Sequence, residues 1–349
     1  MKIRIIGVPS AWGTMELGAQ RTPQMLRDAG LADWLAAAGH QVEDPGDVDL
    51  PPQGAEDVWT PASGAAATAA PVAPASTDPF HLEQVAQMAR SVRHAVAASL
   101  SDRCLPLVIG GECSSSIGVV AALAAHGGPV TVAWIDAHGD INTPETSPSG
   151  LVTGMPLAVT LGHGHPSLTA VGEDTERPHG GSTFLLGGRD LDAGEIDNLG
   201  AFGVRHIDTA ATRAAGPEEM AMQVLGVPEI AVMPPEARDL LVAADPAAAA
   251  AVTEATAAGT AVNADPRPNV YLHIDVDALD PEFAPGVHYR VDGGFDPSEV
   301  GTLAGYLCAS GRVGAITLAS ANFDHDIDGR TVNSIRDIFS SIADALAMV

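Results

Sequence analysis

Six short apolar runs constrain this chain more than any other feature: KIRII (2–6), LPLVIG (105–110), VTVAWID (130–136), TFLLGG (183–188), VYLHIDV (270–276) and AITLAS (315–320). Runs this short, this rich in Val, Ile and Leu and this free of polar alternation belong to strands buried on both faces. Longer stretches with helical spacing lie between them, at 22–39, 81–100, 114–127, 297–311 and 331–349. The alternation predicts an α/β fold of three layers, α/β/α, built on a mostly parallel sheet as a single domain over 1–349. In such sheets ligands bind beyond the carboxyl ends of the strands. Two Ala-rich segments, 55–78 and 244–268, lack the large apolar groups needed to pack and are expected to be low-complexity surface insertions.

Charge excludes some partners. Lys and Arg number 17 against 44 Asp and Glu, a net charge of −27. Such a surface repels nucleic-acid phosphates and anionic lipid, so neither is expected as a partner. No uninterrupted apolar run reaches the ~20 residues that span a bilayer, and MKIRIIGVPSAWG reads as a first strand rather than a secretion signal. Three widely spaced cysteines, Cys104, Cys113 and Cys308, argue against a disulfide framework. The expectation is a cytoplasmic enzyme acting on a small molecule.

Polar residues gather where the apolar runs end. VTVAWID leads into Asp136-Ala137-His138-Gly139-Asp140, VYLHIDV contains Asp275-Val276-Asp277, and LPLVIG leads into Gly111-Glu112-Cys113-Ser114. Residues two apart on a strand share a side, so Asp136 projects with His138 and Asp275 with Asp277. An isolated Asp-x-Asp is usually a turn or a helix cap. Two acidic strand ends in one sheet are a different matter, because carboxylates held together repel unless cations neutralise them. Mostly oxygen donors with one imidazole suit Mn²⁺, and Asp residues able to bridge suit a pair of divalent ions. His273 shares the face of Asp275 and Asp277 and is expected to hydrogen-bond a neighbouring group.

WIDAHGDINTP (134–144) and HIDVDALDPEFAPG (273–286) resemble the two metal-binding motifs of the arginase/agmatinase (ureohydrolase) family, and GGECS (110–114) is similar to a third, usually Gly-Gly-Asp-His-Ser. LGGRDLDAGE (186–195) and the N-terminal positions Gly7, Pro9, Gly18, Pro23, Leu26-Arg27 and Ala29-Gly30 extend the resemblance. It implies two divalent ions bridged by Asp136 and Asp275. Asp140 and Cys113, where most members have histidine, would complete the first; His138 and Asp277 would complete the second. It further implies that Asn142 and Ser149 hold a substrate α-carboxylate and that Asp192, with Glu195 behind it, holds the α-ammonium group. Asp140 would orient the attacking water and return its proton to the leaving amine.

The chain departs from the family at three places. Cys113 stands for histidine, Thr153 for the histidine that shuttles protons, and Ser320 for a glutamate that grips the guanidinium. The branch hydrolysing Nω-hydroxy-L-arginine to hydroxyurea and ornithine is most similar, sharing the cysteine and lacking the shuttle. Arginase, guanidino-acid and formimidoyl-amino-acid hydrolases are the alternatives of the same class. A non-catalytic relative binding a ligand or partner is the alternative outside it. The family's trimers and hexamers imply a homo-oligomer.

Overall fold

A computed structural model describes residues 1–50, 53, 79–226 and 269–349. The Ala-rich segments 55–78 and 244–268 lie outside the described residues. Eight parallel strands form one sheet: β1 (Lys2–Val8), β2 (Gln41–Glu43), β3 (Leu105–Gly110), β4 (Thr131–Ile135), β5 (Thr183–Leu186), β6 (Arg205–Ile207), β7 (Val270–Asp275) and β8 (Val313–Ala319). Their spatial order is β2-β1-β3-β8-β7-β4-β5-β6. All six apolar runs are strands, and β3, β7 and β8 are buried at every residue. Only β2 and β6 escape the sequence pattern. They are three-residue edge strands with exposed positions, too short to show a period.

Helices cover both faces, which completes the three layers. On one side α3 (Leu82–Ser101) and α4 (Ser116–Gly127) lay Val92, Val96, Ile117 and Leu123 against Ile6, Val108 and Val132 of the sheet. On the other, α1 (Thr22–Asp28), α2 (Leu31–Ala37), α9 (Pro217–Leu225), α10 (Pro297–Ala309) and α11 (Arg330–Leu346) pack Leu26, Leu35, Leu307 and Ile338 on Ile5, Leu107 and Ile274. The periodic stretch 22–39 is two helices because Gly30 adopts φ +94° between them. The start of α10 is fixed by a reciprocal cap: Asp296 accepts the Glu299 N–H at 3.0 Å and Glu299 accepts the Asp296 N–H at 2.8 Å. Between β4 and β7 the chain adds α5 (Pro156–Thr160), α6 (Pro166–Thr169), α7 (Ala193–Phe202) and α8 (Thr209–Ala215) before α9. Because the sheet is parallel, β3, β4, β7 and β8 all deliver their carboxyl ends to one edge.

Candidate metal centre

Asp275 ends β7, Asp136 follows β4, and Cys113 lies just beyond β3. Cys113 Sγ donates to Asp275 Oδ2 at 2.8 Å, and Ser320 Oγ, from the turn after β8, donates to the same oxygen at 2.5 Å. At this edge, among the described residues, two donor sets have atoms within 4.8 Å of one another: Cys113, Asp136, His273 and Asp275 in one, and Asp136, His138 and Asp277 in the other, with Asp140 in neither. Asp136 belongs to both. His138 Nδ1 lies 3.1 Å from Asp277 Oδ2 and 3.6 Å from Asp136 Oδ1.

Backbone conformation aims these groups. Asp140 takes φ +51°, a region that side-chain-bearing residues rarely enter, and this turns the residue back toward the cluster. The turn is held because the Asp140 carbonyl accepts the Leu157 N–H of α5 at 2.8 Å. Gly139 leaves room for Glu195, since a Cβ there would meet the Glu195 carboxyl carbon at 2.8 Å and push that side chain aside. Trp134 donates Nε1–H to Asp136 Oδ2 at 2.8 Å, and the Asp277 N–H donates to Asp275 Oδ1 at 2.8 Å. Arg189 clamps the loop behind Asp277 by donating to the carbonyls of Asp277 and Val291 at 2.9 and 2.8 Å.

The electrostatics of these side chains call for cations. Burial and the Asp277 charge push the Asp136 carboxyl up to about 6. Burial together with neighbouring carboxylates holds Asp140, Asp275 and the Cys113 thiol well above their ordinary values. Burial opposes charge on His138, yet Asp277 and Asp136 outweigh it and raise its pKa. Asp140 Oδ2 is buried and has no hydrogen-bond partner among the described residues. A buried carboxylate oxygen without a donor is rare in folded proteins, and divalent ions would give it one while removing the mutual repulsion. The donors present therefore fit a pair of divalent ions.

A cavity of about 270 Å³ opens over the cluster. Its walls include Asn142, Ser149, Thr153, Asp192 and Glu195, so every residue expected to meet substrate faces one space together with Ser320. Asn142 Nδ2 donates to Asp192 Oδ2 at 2.9 Å. Asp192 precedes α7, and Glu195 accepts its N–H at 3.0 Å and that of Ile141 at 3.3 Å. Burial pushes the Glu195 carboxyl up to about 7.

A family model described as the arginase family matches residues 1–230 and 243–343. The chain belongs to the arginase family. The arginase of Brevibacillus brevis is 30% identical to it over 321 residues, 91% of this chain and 88% of that protein. The arginase of Bacillus caldovelox is 32% identical over 292 residues, 84% and 81% of the two chains. The crystal structure of Bacillus cereus arginase matches with a TM-score of 0.75 at 27% identity over 98% of both chains. Proclavaminate amidino hydrolase from Streptomyces clavuligerus, at 19% identity and a TM-score of 0.64 over 99% of this chain and 92% of its own, shares the fold. As an arginase-family member the chain is a metal-dependent hydrolase of non-peptide C–N bonds, and enzymes of this family use a binuclear metal site.

Sequence reasoning missed His288 and Tyr289 here and gave Glu112 no role. His288 and Tyr289 line the cavity from the loop after β7, just beyond the motif that ends at Gly286. Glu112 is 1% exposed and accepts from Gly13 N at 2.7 Å, Ser114 Oγ at 2.9 Å and Ser10 Oγ at 3.1 Å, tying the loop after β1 to β3. Ser320, at the position of the family's guanidinium-gripping glutamate, lines the cavity, bonds to Asp275 and lies 3.3 Å from Cys113 Sγ. Its φ of +66° accounts for that direction, and no period or motif in the sequence reports such a backbone angle.

Proposed function

We propose that this arginase-family amidinohydrolase acts on Nω-hydroxy-L-arginine, releasing hydroxyurea and ornithine. The observation that carries the reading is the polarity of the cavity, with a buried acidic cluster and Cys113 on one side and the Asn142–Asp192 pair beside Ser149 on another. Asn142 and Ser149 offer donors to an α-carboxylate, and Asp192 offers an anion to an α-ammonium group. Agmatine, which has no carboxylate, would leave those donors unused. Ser320 is uncharged and donates to Asp275, so this position offers no anion to a cationic guanidinium. An arginine side chain with pKa above ~12 suffers most from that loss, and a less basic hydroxyguanidine suffers less.

In this account Cys113, Asp136, Asp140 and Asp275 would hold one divalent ion, and Asp136, His138, Asp275 and Asp277 would hold the other, with Mn²⁺ as the metal. Divalent ions held there would neutralise the carboxylates and supply acidification of an attacking water. Asp140 accepts a proton from the attacking water and returns it to the ornithine nitrogen as the C–N bond breaks. Thr153 exchanges protons with solvent. Asn142, Ser149 and Asp192, backed by Glu195, hold the amino-acid end so that the guanidino carbon lies over the cluster. Three buried, unpaired cysteines accord with a reducing, cytoplasmic setting, and among the described residues no helix is long and apolar enough to cross a membrane. A homo-oligomeric assembly belongs to the same reading.

The names of the similar enzymes favour a second substrate, L-arginine. Comparing kcat/KM for the two on one Mn²⁺-loaded preparation decides between them. The proposal expects the hydroxylated substrate to be preferred at least about tenfold, a difference of ~1.4 kcal/mol. Equal or reversed preference would assign the chain to arginine.

A further inference from the structure

We propose that His273 supplies an imidazole ligand to the ion beside Cys113, an inference that rests on the binuclear reading above. His273 lies on β7 two residues before Asp275, wholly buried, with Trp134 and Thr317 as its register partners on either side. Its Nδ1 lies 3.0 Å from the Tyr271 hydroxyl, while its Nε2 is buried and has no hydrogen-bond partner among the described residues. The ring stacks on the Trp134 indole, centroids 3.7 Å apart and planes 16° from parallel. That same indole holds Asp136 through its Nε1–H. One donor atom from His273 lies within 4.8 Å of donors from Cys113, Asp136 and Asp275.

These observations answer one another. A core histidine kept only for packing would have no reason to leave a ring nitrogen unpartnered in a place water cannot reach. In the tautomer that donates Nδ1–H to Tyr271, the Nε2 lone pair is free, which is the arrangement of metal-bound histidines that give their second nitrogen to a protein acceptor. Stacking on Trp134 fixes the plane of the ring and joins it to Asp136, so two donors of one set share a rigid support. The position beyond β3 supplies a thiol at Cys113 rather than an imidazole; β7, reaching the same space from two strands away, supplies the imidazole. A set with thiolate, imidazole and carboxylate donors is softer than one of carboxylates and imidazole alone and favours Co²⁺ or Zn²⁺ over Mn²⁺ more than oxygen donors would.

The test uses the full chain, stripped of metal and titrated with Co²⁺, following the thiolate-to-cobalt charge-transfer absorption that marks filling of the site beside Cys113. His273→Asn removes the ring, and His273→Phe keeps a ring to stack on Trp134 but has no nitrogen. Both are expected to move the charge-transfer midpoint to at least about tenfold higher Co²⁺, with wild type binding two ions. Pulsed EPR of the His138→Ala protein carrying Mn²⁺ should show a directly bound imidazole nitrogen, lost in His138→Ala/His273→Phe. Two ions in the wild type with unmoved midpoints overturn the role of His273 alone. A moved midpoint without nitrogen coupling also overturns it and leaves His273 as a support for Asp136. Fewer than two ions in the wild type, or no thiolate band, overturns the binuclear reading together with this one.

Discussion

Cys113 Sγ lies 2.8 Å from Asp275 Oδ2 and donates its S–H to it. The thiol from the turn after β3 thus sits against the last residue of β7, with Ser320 donating to the same carboxylate oxygen. Burial and the nearby carboxylates keep the thiol protonated, and a divalent ion between the two residues would displace that proton. Cys113→His replaces a soft donor with a harder one. It should raise Mn²⁺ affinity at least about tenfold in direct metal titrations; unchanged affinity would place Cys113 away from the ion.

Asp275 contributes to both proposed ions, so its removal should be felt twice. Asp275→Ala is expected to leave the purified protein without bound metal and to lower turnover by at least about a thousandfold. Metal content by mass spectrometry, read beside circular dichroism to confirm folding, checks this. An active variant with full metal would disprove the bridging assignment.

On the cavity wall, Asn142 and Asp192 are bonded to each other at 2.9 Å, so each also orients its partner. Asn142→Ala and Asp192→Asn should raise KM about 10- to 100-fold with little change in kcat, the loss of one or two charge-assisted hydrogen bonds. Steady-state kinetics on the amino-acid substrate measure this. A fall in kcat at constant KM would move these residues to the chemical step.

Glu195 gives a pH prediction that does not depend on substrate. Its folded pKa, about 7, lies above the ordinary 4.5 because the carboxyl is buried. A raised folded pKa contributes stability that is complete below the unfolded value and is lost as pH rises through the folded one. In metal-free protein Glu195 should therefore cost up to about 3 kcal/mol as pH goes from 4.5 to beyond 7. Glu195→Gln should remove that part of the loss, as measured by urea unfolding at pH 4.5 and 7.5. Parallel pH dependences for the two proteins would contradict it.

The sheet's inner strands were legible because parallel strands covered on both faces are mostly apolar without alternation, and 105–110 matches β3 residue for residue. Asp136, His138, Asp275 and Asp277 were legible for a related reason: a charge placed at the end of an apolar strand has few ordinary uses. Groups set by tertiary contact were not. Arg189 reaches its acceptors across about ninety residues of sequence, and the Asp140 and Ser320 turns depend on positive φ angles in residues other than glycine. The unpartnered Nε2 of His273 is visible only once its neighbours are in place.

The central claim, a two-metal centre that hydrolyses an amino-acid guanidine, is tested most directly on one Mn²⁺-loaded sample. Metal per chain is measured by mass spectrometry, and products from Nω-hydroxy-L-arginine and L-arginine are identified. The account predicts two ions per chain, with ornithine and hydroxyurea released from the hydroxylated substrate. Less than one ion per chain, with neither substrate consumed, would contradict it.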